Sequence, residues 1–292
     1  MLSPAIKMTH TKLTPARILR YIKARLPYRV PSRAAYQSAL LDKTALEIGG
    51  PSEIFGGAGA LPLYRSLQSV DNCLYSARTI WTGELKNGQK FIYHPEKSPG
   101  IQFIADAVAL DPIPDGKYDC VLASHCLEHV ANPLQALAEW KRVLRDRGLL
   151  LVVLPHKDGT FDWRRPTTSL SHMVEDFRSH TREDDLTHLP EILQYHDLTR
   201  DKPAGTLEQF HRRCLDNYNT RAMHHHVFET TNALSLIDYA EFQLVRVDLL
   251  KPCHIFVLAT SRQHGIDNAL FFAPEAEWRR KSPFSSDRPA HQ

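Results

Sequence analysis

No stretch of this chain approaches the roughly 20 consecutive apolar residues that a helix needs to cross a bilayer, and no secretory apolar core opens it. A membrane-spanning or secreted protein is therefore not expected. Cysteine is scarce as well: Cys73, Cys120, Cys126, Cys214 and Cys253 lack the paired spacing of a thiolate metal site or a disulfide framework, which fits a reducing, cytoplasmic setting. Charge of one sign does not dominate. With 36 Lys and Arg against 33 Asp and Glu, the composition makes no general case for nucleic acid as a partner. The glycine fingerprint G-x-G-x-x-G is missing after the first predicted strand, which argues against a nicotinamide dehydrogenase. Acid is missing locally. Residues 1–41 hold eight Lys or Arg and no Asp or Glu, and Ile18, Leu19, Ile22 and Leu26 share one face of a basic amphipathic helix. Its expected role is to cap the cleft or a sheet edge, with membrane-surface contact and a cleaved targeting segment as the alternatives.

What is present is a strand, corner, helix, turn and strand in unbroken succession from Tyr118 to Pro155. Val121, Leu122 and Ala123 make an apolar run closed by Ser124 and His125, and 149–154 makes a second run closed by Pro155. Between them Pro133 suits a first helical turn, Leu134, Leu137, Trp140, Val143 and Leu144 recur at helical spacing, and Gly148 suits the exit. Such a unit favours a parallel sheet. Upstream, 45–48 reads as the first strand, entering Gly49, Gly50, Pro51 and Ser52, with Gly56, Gly57 and Gly59 beyond. The runs 67–70 and 101–104 then deliver Asp71 and Asp106 at their carboxyl ends, the edge where open α/β sheets bind small molecules. Helices are expected over 169–180, 184–197, 206–218 and 230–241, and strands over 242–249 and 254–260 as a terminal antiparallel hairpin.

These motifs, in this order, resemble the class I S-adenosylmethionine-dependent methyltransferases, especially the branch acting on small metabolites and sugars. The resemblance covers roughly 45–156 and 229–260. It implies an α/β fold: a Rossmann-like, mostly parallel seven-stranded sheet with a terminal antiparallel hairpin, plus a helical insertion after strand five. The domain organisation is then a basic N-terminal helix at 1–41, a methyltransferase domain at 42–261 with its substrate insertion at 156–228, and a loose tail at 262–292. The resemblance implies S-adenosylmethionine as cofactor, with Glu47, Gly49 and Gly50 in the first motif, Asp71 on the ribose, Asp106 and Ala107 on the adenine, and Ser124 in the fourth-strand motif. Pro51 departs from the pattern, standing where many members carry another glycine and removing a backbone donor. A non-catalytic binding or regulatory protein with the same fold is the alternative it raises.

Methyl transfer to a hydroxyl needs orientation and a base, and His125 and His156, just beyond strands four and five, are the candidate bases. His129, at the helix entrance, is expected to cap or pack. The insertion holds nine of the sixteen histidines, so it sets the substrate. In it, His156, Lys157, Asp158, Asp162, Arg164 and Arg165 could bind a polyol or an anion, and Phe161 and Trp163 could stack on a sugar. A polar lid held by internal salt bridges is the competing reading. Asp184 and His188 are four apart and could share a divalent metal, with Glu191, His196 and the run His224 to His226 nearby, although no metal ligand is assigned and lid histidines bonded to acids are the simpler account. The expected activity is O-methylation of a sugar or other polar small molecule, with N-methylation of a small amine open.

Overall fold

The computed structural model describes residues 28–79, 83–262 and 264–288. The basic helix expected around Ile18 to Leu26 lies outside them. Within them the chain forms α1 (Arg33–Ala39), β1 (Thr44–Ile48), β2 (Ser69–Leu74), β3 (Lys90–Phe91), β4 (Gly100–Ile104), β5 (Tyr118–Ser124), α2 (Pro133–Val143) and β6 (Leu144–Pro155). The insertion carries α3 (Leu170–Arg178), α4 (Leu189–Tyr195), α5 (Leu207–Leu215) and α6 (Asn217–Thr220). The chain returns to the sheet with α7 (Thr230–Tyr239), β7 (Phe242–Leu250) and β8 (His254–Ser261), then adds α8 (Ala269–Phe272) and α9 (Glu277–Lys281).

The sheet has eight strands in the order β3-β4-β2-β1-β5-β6-β8-β7. Strands β4, β2, β1, β5 and β6 run parallel, and β8 and β7 close one side antiparallel. The seven expected strands are all there. The eighth is the two-residue β3, paired antiparallel to β4 at the edge.

Both faces are covered, which is why the central strands read as continuous apolar runs. Alternate residues diverge: Val121, Ala123, Leu150, Val152 and Leu154 join one core with α2 and α7, while Cys120, Leu122, Leu151 and Val153 join the other with α1. Helix α2 starts where the sequence says it should, because Pro133 occupies its first turn and the Asn132 side chain accepts from Gln135 N at 3.0 Å. It ends sooner. Val143 is its last residue and β6 begins at Leu144, so Gly148 lies inside the strand rather than at a helix exit. A Cβ at Gly148 would lie 3.0 Å from that of Leu144, a close approach that accounts for glycine there.

The tail is not loose. Trp278, Phe284 and Asp287 are buried, and the tail turns back to cover the start of the insertion. There Asp287 accepts from Thr230 Oγ1 at 2.7 Å and from Ser282 Oγ at 2.6 Å.

Trp140 links the core to the ligand edge. It is fully buried on α2, and its indole N–H donates to the Ala107 carbonyl at 3.1 Å. Trp140→Ala should lower unfolding free energy by about 3–5 kcal/mol, read as an earlier urea midpoint; a change below about 1 kcal/mol would contradict this role.

Candidate active site

A cavity of about 650 Å³ opens at the carboxyl edge of the parallel strands, within the size range of small-molecule sites. Its lining is drawn from the ends of four strands: Ile48 and Gly49 where β1 ends, Leu74 and Tyr75 where β2 ends, Asp106 and Ala107 after β4, and Ser124 and His125 where β5 ends. His254, the first residue of β8, completes it. Because β8 is antiparallel and pairs His254 with Pro155, its amino end lies at the same edge as the carboxyl end of β6.

The first corner is built on buried polar groups. Gly49 has φ +82°, a conformation glycine adopts without penalty. A Cβ on Gly50 would fall 2.3 Å from the carboxyl carbon of Glu47, so only glycine fits there. Glu47 and Gly50 do not line the cavity; they hold the turn that does. Glu47 accepts from Ser52 N at 3.0 Å and from the Tyr64 hydroxyl at 2.9 Å, while Asn72 clamps Gly50 through both its amide groups at 2.9 and 3.0 Å. Pro51 therefore leaves the turn anchored, because the next amide, Ser52, supplies a donor.

Asp71 is not at a strand end. Strand β2 continues to Leu74, which leaves Asp71 in mid-strand and off the cavity lining. There it accepts from Tyr118 Oη at 2.7 Å and Ile101 N at 2.8 Å, and pairs with Lys117 at 3.2 Å, stitching β2 to its neighbours. The apolar run 67–70 suggested an earlier end because Asp71 and Asn72 interrupt it. Asn72 is buried and polar for the sake of the glycine turn, a requirement that hydropathy does not display.

His156 is also misplaced by the sequence reading. It is fully buried outside the cavity, its ring stacked on Phe284 at 3.9 Å, with Nε2 facing Asp287 at 3.3 Å and Nδ1 accepting from Asp158 N at 3.2 Å. It fastens the tail and is not placed to meet an acceptor. His125 does face the cavity, in the left-handed region at φ +50°, which is uncommon for a side-chain-bearing residue and concentrates at functional corners. Its Nε2 meets His254 Nδ1 at 2.9 Å, and its Nδ1 lies 3.6 Å from Glu128 Oε1. Burial, with His254 and His224 nearby, pushes His125 down to about 3, and burial alone pushes His254 down to about 4, so both rings are neutral at pH 7. Burial raises the Glu128 carboxyl to about 7, although His224 acts against it.

His129 does more than pack at the helix entrance: it lines the cavity, with Nδ1 at 3.2 Å from the Met223 carbonyl. Sequence reasoning missed His254, Glu128 and Arg221. His254 could have been found by asking which end of an antiparallel strand shares the ligand edge. Arg221 reaches Asp106 at 2.8 Å and Glu183 at 3.1 Å from the far end of the insertion, a long-range pairing with no local signal.

The insertion holds much of its own polarity inside. Arg165 is buried between Asp162 at 3.1 Å and Glu191 at 2.8 Å, and Asp162 also meets His224 at 2.6 Å. Burial would raise Asp162, yet His224 and Arg165 hold it well below the usual carboxylate range. Phe161 is stacked on His196 at 4.4 Å, and Trp163 carries Arg164 and Arg200 on its ring. These side chains, expected to offer a polyol or anion surface, are engaged in contacts within the insertion. His188 does not pair with Asp184; it meets His172 at 3.0 Å.

Residues 57–152 match the family model described as a methyltransferase domain. A 37.1 kDa protein in a transposon of Streptomyces fradiae is 39% identical over 69 residues, which cover 23% of this chain and 20% of that protein, so the chain spans about a fifth of the length of this curated relative. Among solved structures, an S-adenosylmethionine-dependent methyltransferase of Methanosarcina mazei is 16% identical, with a TM-score of 0.45 over 79% of this chain and 98% of that one. The 1,6-didemethyltoxoflavin-N1-methyltransferase of Burkholderia thailandensis, solved with 1,6-didemethyltoxoflavin and S-adenosylhomocysteine, is 14% identical, with a TM-score of 0.43 over 84% and 83%. The segment 57–152 is thus similar to a methyltransferase domain and lies in a Rossmann-like sheet, and S-adenosylmethionine is the cofactor that such a similarity implies. The cavity suits that cofactor: bare backbone at Gly49, carboxylates on Glu53 and Asp106, and apolar walls from Ile48, Leu74, Ala107 and Val130 match a cationic ligand with a flat ring. Among the described residues, no helix is long and apolar enough to cross a membrane.

Burial lifts Glu47 to about 7 against the hydrogen bonds from Ser52 and Tyr64. A raised carboxyl holds a proton in the folded chain that the unfolded chain has lost, so its contribution is complete below about pH 4.5 and fades as pH rises toward 7. Glu47→Gln has no such proton to lose. Its stability relative to the parent should improve by about 3 kcal/mol between pH 4.5 and pH 8, measured by urea unfolding; a pH-independent difference would refute the assignment.

Proposed function

We propose that the chain is an S-adenosylmethionine-dependent O-methyltransferase acting on a hydroxyl of a polar small molecule, sugars among them. One observation carries this reading: Gly49, Asp106, Ala107, Ser124 and the His125–His254 pair line a single cavity at the ligand edge of the sheet. Asp71 and His156 leave the proposed set, and His254 enters it. Glu47 and Gly50 stay as supports of the turn. The hydroxyl is favoured over an amine because a neutral amine brings its own lone pair, whereas an alcohol must shed a proton, and a neutral imidazole pair is a means of taking it.

When bound, S-adenosylmethionine supplies an electrophilic methyl group on a sulfonium. Gly49, Ser52 and Glu53 would hold the amino-acid end against the first turn, and Asp106 with Ala107 the adenine end. Asp106 is steadied by Arg221, so the insertion takes part in shaping the cofactor's end of the cavity. Ser124 and His125 orient the acceptor. The proton lost by the hydroxyl is taken up by the histidine pair across the contact between His125 Nε2 and His254 Nδ1, and the positive charge then lies 3.6 Å from Glu128. The lid over 156–228 keeps water from the acceptor, and its internal ion pairs hold its shape without using up the cavity's own polar groups.

The test is transfer of labelled methyl from S-adenosylmethionine to a panel of sugars, polyols and small amines. A methyl ether product supports the reading, and product on amines alone, or on none of the panel, opposes it. With an acceptor in hand, His125→Ala should lower kcat more than tenfold with little change in cofactor affinity, while His156→Ala should lower Tm and leave kcat within about twofold. The reverse pattern would return the base to His156.

A further inference from the structure

The insertion has a buried core of only six residues, Leu189, Ile192, Ala204, Phe210, Cys214 and Met223, which is little to hold a segment of this length. Small cores of this kind are commonly supplemented by a metal or another cross-link. Beside it, away from the cavity, four potential ligands from three separate parts of the insertion converge. His172 and Asp176 are four apart on α3 and so share a helical face; His188 precedes α4; His226 ends the run of three histidines.

One ring nitrogen from each of His172, His188 and His226 lies within 4.8 Å of the other two. The Nε2 atoms of His172 and His188 are 3.0 Å apart. Asp176 Oδ2 lies 3.4 Å from His172 Nε2. Tetrahedral coordination with bonds near 2.0–2.1 Å puts ligand atoms about 3.3 Å apart, and these separations straddle that value. Two further facts point inward. Asp176 Oδ2 and His226 Nδ1 are both buried with no hydrogen-bond partner among the described residues, although His226 itself is 1% exposed. The other nitrogen of His226 meets the Ala131 carbonyl at 3.3 Å, the kind of outer contact that fixes a ligand's tautomer.

A hydrogen-bonded His172–His188 pair with Asp176 beside it would leave those two buried atoms unsatisfied, at a cost of about 1–3 kcal/mol each. A cation satisfies them together. We propose that His172, Asp176, His188 and His226 form a four-coordinate site for a divalent transition metal, zinc in the first instance, which staples the insertion to the face of the sheet covered by α2 and α7. Three imidazoles and one carboxylate suit zinc, and four protein ligands leave no open position, so the site is structural. Helix α3 makes the connection, since Met173 and Val174 on the same helix belong to the main core.

The test needs no methyl acceptor, so its outcome is independent of the proposed activity. Full-length protein is stripped with EDTA, exchanged into metal-free buffer and titrated with cobalt chloride, then with zinc chloride. The expected result is the visible absorption of four-coordinate cobalt, saturating at one equivalent, free of thiolate charge-transfer bands, and displaced by zinc with a rise in Tm. His172→Ala, at a half-exposed position where folding is least at risk, should bind zinc at least tenfold more weakly, and Asp176→Asn should alter the cobalt spectrum. Glu128→Gln and Cys253→Ser, which remove ligands from the two groups nearer the cavity, should leave it unchanged. Absence of the four-coordinate band in the parent protein, a thiolate band, or a spectrum that survives His172→Ala overturns the assignment.

Discussion

The structure depends first on the register of its parallel strands. Ile48 lies beside Cys73 on one side and Ala123 on the other, and Ser124 lies beside Val153, so the ends of β1, β2, β5 and β6 arrive at one edge together. A slip of one residue would invert the side chains of the slipped strand and separate the corners that line the cavity. Register is enforced by burial on both faces. The alternation of β5 and β6 between two cores means that a slip would exchange side chains between two closely packed cores shaped for the native order.

On that frame, the ligand edge is made by placing polar groups where burial makes them costly unless paired. Glu47 and Asn72 are fully buried, and each is matched to backbone of the first turn. An unpaired group of this kind would cost about 1–3 kcal/mol, so the turn is tied to the fold as firmly as an apolar contact would tie it. His125 follows the same logic with a different result. Its ring is neutral because burial opposes the charged form, and its left-handed backbone brings that ring to the cavity beside His254. Glu128 stands behind it, 3.6 Å from His125 Nδ1, with neither carboxylate oxygen hydrogen-bonded among the described residues.

The sheet, the strand-helix-strand unit over Tyr118 to Pro155 and the helices of the insertion were legible because periodicity and burial are the same fact seen twice. Pro133 and Asn132 marked a helix start through their own local chemistry. Gly49, Asp106, Ala107, Ser124 and His125 were legible because the ends of apolar runs mark the ligand edge. Asp71 misled because Asn72, buried for its hydrogen bonds, made a strand appear to stop early. His156 misled because its fate is decided by Phe284 and Asp287, more than 120 residues away, in a tail whose composition does not advertise a packing role. The four histidine and aspartate donors of the insertion were partly legible as an enrichment. Their grouping was not, since Asp184, the obvious neighbour of His188, points to a pairing that the fold does not make.

The insertion ties these levels together, reaching Asp106 at the cavity through Arg221 while its own polar groups Arg165 and Asp162 pair with each other. The account rests most directly on the cavity being a cofactor site. Isothermal titration of the full chain with S-adenosylmethionine tests it: saturable binding at one equivalent, weakened at least tenfold when Asp106 is changed to Ala, is the predicted result. No heat, together with no change in Tm at millimolar cofactor, would contradict it.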